Sequence, residues 1–264
     1  MYHVTIMFRA GSRCMVELPA TCRLITQRRA FQTENLASDA FTKNSSDRIA
    51  RMAKALRFIQ ALDPVDRKAV ASMLRVDHSG EVAANTIYEA QADVFGYRGQ
   101  ISVKNLVSDM WENEKKHLHA AATMLDDYRT RPSALVPVWA LAGRILGGFT
   151  AYLGEKSAMA CTEAVETAIG EHYDEYVIVS DSSQLQHLSD IREKLSKTYT
   201  GDKMQELDES LALLRSVLVE FRDDELEHLD TAVDHDSQQA PAHALLSAVV
   251  EYGCKGAIEI AKRI

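Results

Sequence analysis

The chain is poor in the residues that build several common architectures. It has only 4 cysteines in 264 residues, Cys14, Cys22, Cys161 and Cys254. None pairs in a Cys-x-x-Cys spacing, which excludes a zinc knuckle and gives no disulfide framework. With 5 prolines and 12 glycines, a collagen-like or Pro/Gly low-complexity chain is excluded. Positive charge is also short: the formal net charge is -8. Phosphate binding needs a basic surface, so nucleic acid is not an expected partner. Runs of β-branched and aromatic residues between turn signals are sparse, and no hairpin signal stands out, so the expected class is all-α. What remains is ordinary globular composition, 46% hydrophobic and 26% charged, in a chain long enough to bury a sizeable core.

The charge is unevenly spread. Residues 1–33 hold Arg9, Arg13, Arg23, Arg28 and Arg29 against the single acid Glu17. Five minus one leaves that stretch at +4, and the remainder at -12. A basic, acid-poor, weakly apolar start is the pattern of a mitochondrial transit peptide, and it lacks the uninterrupted apolar stretch of a secretory signal. The expected organisation is residues 1–45 as transit peptide and linker and 46–264 as one domain.

Periodicity predicts a short helix through Ile59, then a helix from Asp63-Pro64 to about Phe95, with Asp as cap and Pro at the first helical position. Further helices are expected at about 101–128, 156–179 and 203–234, with Pro241 opening a last one. The polar stretch 180–202 reads as an insertion holding a helical piece near 185–195. Residues 133–154 (SALVPVWALAGRILGGFTAYLG) carry one charge, Arg144. Pro137 and four glycines argue against an unbroken span, so the expectation is a segment lying in a membrane interface or a hydrophobic hairpin, with a buried crossover as the alternative.

Two Glu-x-x-His motifs occur, Glu114…His117 and Glu225…His228. On a helix, positions i and i+3 share a face, so each motif presents a carboxylate and an imidazole to one point. Alone, such a motif is weak. Here each follows a helix offering another Glu: Glu81 before the first, and Glu163 or Glu166 before the second. The order Glu, ExxH, Glu, ExxH is that of four-helix bundles holding two iron or manganese ions. Four carboxylates and two imidazoles nearly balance two divalent cations, whereas zinc prefers fewer ligands. Spacing does not choose between Glu163 and Glu166. His78, His119, His235 and His243 read as surface or supporting histidines. Trp111, Trp139 and Tyr152 suit either an interface or a core.

The runs LRVDHSGEVAANTIYEAQ (74–91), WENEKKH (111–117), MACTEAVETAIGEHY (159–173), FRDDELEHLDTAVDHD (221–236) and GCKGAIEIAKRI (253–264) closely resemble the mitochondrial 5-demethoxyubiquinone hydroxylases, a family of ubiquinone-biosynthesis monooxygenases. The resemblance covers roughly residues 50–264. It implies a ferritin-like four-helix bundle with additional membrane-associated helices. The metal ligands it implies are Glu81, Glu114, His117, Glu166, Glu225 and His228, with His172 and Tyr173 as supporting or redox-relay residues. It further implies two Fe ions, NADH as electron donor, O2 as oxidant and a polyprenylated benzoquinone as substrate. The location implied is the matrix side of the mitochondrial inner membrane, as a peripheral protein beside other ubiquinone-biosynthesis proteins, a lipid-binding partner among them. No GxGxxG fingerprint follows a strand, so a Rossmann nucleotide site is not expected. The competing readings are a quinol oxidase or ferroxidase that hydroxylates nothing, and a lipid-binding scaffold.

Overall fold

The computed structural model describes residues 45–173 and 184–264. The expected leader, and the 174–179 end of the helix expected at 156–179, lie outside them. Among the described residues there are eight α-helices and no strands. They are α1 Ser45–Ala61, α2 Pro64–Tyr97, α3 Ile101–Asp127, α4 Val136–Leu153, α5 Glu155–Tyr173, α6 Gln184–Thr198, α7 Gly201–Asp234 and α8 His243–Ala261. A short 3-10 turn, Ser237–Gln239, precedes α8.

The helix starts follow local chemistry. Asp63 Oδ1 accepts from the Val65 and Asp66 backbone N–H groups at 2.8 and 2.9 Å. That satisfies donors the first turn cannot, while Pro64 at the first position has no N–H to lose. Gly99, at φ 70°, turns the chain from α2 into α3 in a backbone region that L side chains avoid. Pro241 does not open the last helix. It lies two residues before α8, and Ala242 between them has φ 54°.

Four helices, α2, α3, α5 and α7, form the ferritin-like bundle, with α2 packed on α3 and α5 on α7. Two apolar clusters occupy its two ends. One gathers Phe58, Leu62, Val70, Leu74, Met124, Leu188, Ile191, Leu214 and Phe221. The other gathers Ala84, Tyr88, Phe95, Val107, Met110, Met159 and Ala232. Helix α6, in the stretch read as an insertion, buries Leu185, Leu188, Ile191 and Leu195 in the first cluster, so it is part of the core. A buried ion pair between Arg51 and Asp127 at 2.6 Å ties α1 to the end of α3.

The apolar segment 136–153 is one unbroken helix, neither broken by its glycines nor folded as a hairpin. Pro137 falls in the first turn, where its missing N–H costs nothing. Gly143 and Gly147, four apart, face α2. A Cβ on either would overlap Thr86 and the Ala83 carbonyl, or the Ile87 backbone. The glycines are where two backbones touch. The opposite face is open: Val138, Leu141, Ile145, Phe149 and Tyr152 are each more than half exposed. Helix α8 likewise buries only Val250 and Ala261 and exposes Leu245, Val249 and Tyr252. By length and composition, α4 is the one described helix able to cross a membrane.

Candidate metal centre

Each bundle helix contributes to a polar girdle between the two apolar clusters. Glu81 comes from α2, Glu114 and His117 from α3, Glu166 from α5, and Glu225 and His228 from α7. None of the six is more than 3% exposed. Their ligand atoms fall into two overlapping sets, Glu81–Glu114–His117–Glu225 and Glu114–Glu166–Glu225–His228, each within 4.8 Å. Glu114 and Glu225 belong to both. The four helices thus lay out two overlapping sets, each with its own Glu and His and sharing two carboxylates, that could each hold a metal ion.

The remaining lone pairs point the same way. Glu81 Oε2, both Glu114 oxygens, Glu166 Oε2, Glu225 Oε2, His117 Nδ1 and His228 Nδ1 are buried without hydrogen-bond partners. An unsatisfied buried polar atom costs about 1–3 kcal/mol, and here every one of the six residues supplies at least one. His228 Nδ1 does approach Glu114 Oε1 at 3.0 Å and Glu225 Oε2 at 3.4 Å, but neither contact is aligned as a hydrogen bond. Seven converging orphan atoms on four acids and two imidazoles fit a pair of divalent cations.

Electrostatics makes protons the competitors of those cations. Burial pushes the carboxyls of Glu81, Glu114 and Glu166 upward, and neighbouring carboxylates add to the shift. Glu225 goes the other way. Burial opposes its charge, but the His117 and His228 imidazoles beside it, at 3.7 and 3.4 Å, outweigh burial and hold it low. Burial alone would depress both histidines, yet their carboxylate partners raise them. A cation entering this cluster would therefore displace protons, with an affinity that rises with pH.

Several supporting residues are not evident from motif spacing. Tyr88 donates its hydroxyl to Glu166 Oε1 at 2.6 Å. Asn85 donates to the Glu114 carbonyl at 2.6 Å and accepts from Trp111 Nε1 at 3.1 Å. Glu81, Asn85 and Tyr88 follow the i, i+4, i+7 rule of one helix face, so that signal was present in the sequence. Asp224 accepts from His117 Nε2 at 2.9 Å. It sits one residue before a motif Glu and reaches across to the other motif's histidine, which spacing along one helix does not reveal.

The alternatives left open by spacing separate here. Glu163 Oε2 is engaged at 2.9 Å by His243 Nε2 of α8, while Glu166 faces the cluster. His172 and Tyr173 are outside the cluster. The His172 ring meets the Gln184 amide at 2.8 Å and lies 4.0 Å from Asp77 Oδ1. Tyr173 is buried against Phe221. His119 and His235 are exposed, and His78 is half-buried with Nδ1 unpaired. Trp111 stacks under Lys115 at 3.8 Å.

The family model for the ubiquinone biosynthesis protein COQ7 matches residues 68–261, which include all six cluster residues. A mouse protein named NADPH-dependent 3-demethoxyubiquinone 3-hydroxylase, mitochondrial, is 40% identical over 202 residues, 76% of this chain and 81% of its own. The Saccharomyces cerevisiae protein named 5-demethoxyubiquinone hydroxylase, mitochondrial, is 33% identical over 229 residues, covering 87% and 93%. A Rhodospirillum rubrum protein named 3-demethoxyubiquinol 3-hydroxylase is 34% identical over 202 residues, covering 76% and 82%.

Proposed function

The chain belongs to the ubiquinone biosynthesis protein COQ7 family, and from that premise we propose that it hydroxylates the ring of a demethoxyubiquinone or its quinol. Two iron ions, bound by Glu81, Glu114, His117, Glu166, Glu225 and His228, are the reading's cofactor. The observation that carries it is the pair of overlapping carboxylate–imidazole sets sharing Glu114 and Glu225 in the bundle core. The balanced reaction takes a ring C–H, O2, two electrons and two protons to a ring C–OH and water.

When bound, ferrous ions supply redox equivalents and open positions for dioxygen. The protein's part is structural and protonic. The four helices bind and space the ions, and the apolar clusters above and below exclude water from them. Asp224 holds the proton on His117 Nε2, which leaves Nδ1 free to ligate. Tyr88 holds its hydroxyl proton on Glu166 Oε1, leaving Oε2 as the free oxygen. The two further electrons come from a reduced pyridine nucleotide. NADH is the donor implied by the sequence resemblance, and NADPH is the one in the mouse relative's name.

A polyprenylated quinone resides in a bilayer. The exposed apolar faces of α4 and α8 would seat the protein on that surface, so that the ring enters while the tail stays in lipid. In this reading the protein is peripheral on the matrix side of the mitochondrial inner membrane, delivered by the basic leader. Other ubiquinone-biosynthesis proteins, including a lipid-binding one, would be its neighbours.

The test is iron analysis of the purified protein, followed by turnover of a demethoxyquinone with O2 and either NADH or NADPH. Two irons per chain and a hydroxylated ring are expected. Reduction of O2 to water with the ring unchanged would replace this reading with a quinol oxidase, and iron mineralisation with a ferroxidase.

A further inference from the structure

We propose that the two cation positions are unequal: the Glu81–His117 position binds first and more tightly, and the Glu166–His228 position is the exchangeable one. The inference rests on the dinuclear reading above and adds an order of loading to it.

The two halves of the sequence are built alike, each a Glu followed by an ExxH motif, and the sharing of Glu114 and Glu225 extends that likeness to the ligands. The likeness ends one layer out. The residue before Glu225 is Asp224, while the residue before Glu114 is Asn113. Asp224 crosses to α3 and accepts the His117 Nε2 proton at 2.9 Å. This bond fixes the tautomer and turns Nδ1 inward, 3.9 Å from Glu81 Oε2 and 3.7 Å from Glu225 Oε1. It also makes the ring a stronger donor. The same ring lies against Phe221, at 4.4 Å between centroids and a 34° tilt, so one ligand is held both from behind and from the side.

His228 has no such support. Its Nε2 is buried and has no hydrogen-bond partner, and its ring meets Tyr88 edge-on at 5.9 Å. Among the described residues, no group behind the ring holds a proton on Nε2, as Asp224 does for His117. Its neighbour Glu166 has one oxygen taken by Tyr88 at 2.6 Å, so Oε2 is the oxygen without a partner. The first position thus has an oriented imidazole. The second has an imidazole without that support, and its only oriented ligand is the Glu166 carboxylate held by Tyr88. Orientation that is already present need not be imposed by the cation, and the first position keeps that advantage in affinity.

Equilibrium dialysis of the full-length, chelator-stripped protein against graded Mn(II) tests this, with circular dichroism to confirm folding. Two binding steps separated by at least about tenfold are expected. Asp224→Asn should weaken the tighter step by about 10–100-fold, the usual effect of losing such a partner, and leave the weaker step in place so that the two converge. If D224N loses helicity, His117→Ala and His228→Ala decide instead. The first must remove the tight step and the second the weak one. Two equal steps, one cooperative two-ion step, or a D224N effect confined to the weaker step would overturn the order while leaving the dinuclear reading intact. Folded protein that binds no Mn(II) would sink both.

Discussion

The middle of the bundle and its outer flank invert the usual arrangement in opposite senses. In the middle, four carboxylates and two imidazoles are buried to 3% exposure or less. On the flank, α4 and α8 leave Leu141, Ile145, Phe149, Leu245, Val249 and Tyr252 more than half exposed. Neither region is organised for stability alone. Buried ionisable groups cost free energy unless something compensates them, and a wide apolar surface is costly in water and marks a binding face. Each inversion fits the counterpart proposed for it, cations inside and an apolar phase outside. The molecule is stable elsewhere, in the two apolar clusters that cap the girdle.

The largest effect should come from making the middle ordinary. Glu114 belongs to both carboxylate–imidazole sets, so on the dinuclear proposal Glu114→Met should bring hydroxylation to background and remove bound metal, measured by turnover and metal analysis. In chelator the same variant should be more stable than the parent by about 1–4 kcal/mol, because an apolar side chain of similar volume replaces a buried acid. A lower urea midpoint for the metal-free variant would show that the girdle contributes to stability unaided.

The polar interior also extends past the ligands, and pH can separate its parts. Burial pushes the Asp77 carboxyl up to about 7, against the Gln184 hydrogen bond that lowers it. Burial, assisted by Lys262, pushes His172 down to about 4. Asp77 binds its proton better when folded, so its contribution is full near pH 4 and is lost as pH rises towards 7. His172 binds its proton worse when folded, so its contribution is present above about 6.5 and is lost as pH falls towards 4. The two slopes oppose each other across pH 4–6.5 and should nearly cancel. Relative to the parent, Asp77→Asn should make stability rise with pH there by about 2–4 kcal/mol, and His172→Gln should make it fall by a similar amount, both read from urea midpoints. Parallel profiles in the two variants would refute the pairing.

How much of this was legible in the sequence depended on the range of the interaction. The six girdle residues repeat at helical spacing, and the caps are encoded within a turn, as at Asp63-Pro64. The family resemblance selected Glu166 over Glu163, and the His243 contact gives the physical reason. Asp224 was missed because it acts between helices. Gln184 was missed because a polar stretch read as an insertion folds back onto Asp77. The unbroken α4 was missed because its glycines were read as helix breakers. In the fold they are contact points, and glycine's cost in helix propensity, about 1 kcal/mol, is offset by close packing.

That packing joins the two regions, since α4 lies on the same α2 that carries Glu81. Gly147→Ala should cost about 1–3 kcal/mol, because its Cβ would overlap the Ile87 backbone. Gly148→Ala is the control: its Cβ would meet Ala90 at 3.9 Å, an ordinary contact. It should be neutral or stabilising by up to about 1 kcal/mol. Equal losses at the two positions would mean that the α2–α4 contact is loose.

The smallest change in stability should follow from altering the flank, and there the readout shifts from folding to partition. Leu141, Ile145 and Phe149 touch water on one face of α4. Changing all three to Ser should move the folding midpoint little, since exposed substitutions stay within about 0.5 kcal/mol each. Each removes apolar area worth on the order of 1 kcal/mol when transferred to lipid, so binding to anionic phospholipid vesicles should fall about a hundredfold in sedimentation. Turnover of a long-tailed quinone presented in vesicles should fall with it, while a short-tailed soluble analogue should be turned over as before. Loss of both activities would place the effect in the centre and not at the surface. Unchanged vesicle binding would mean that the exposed face of α4 meets something other than lipid.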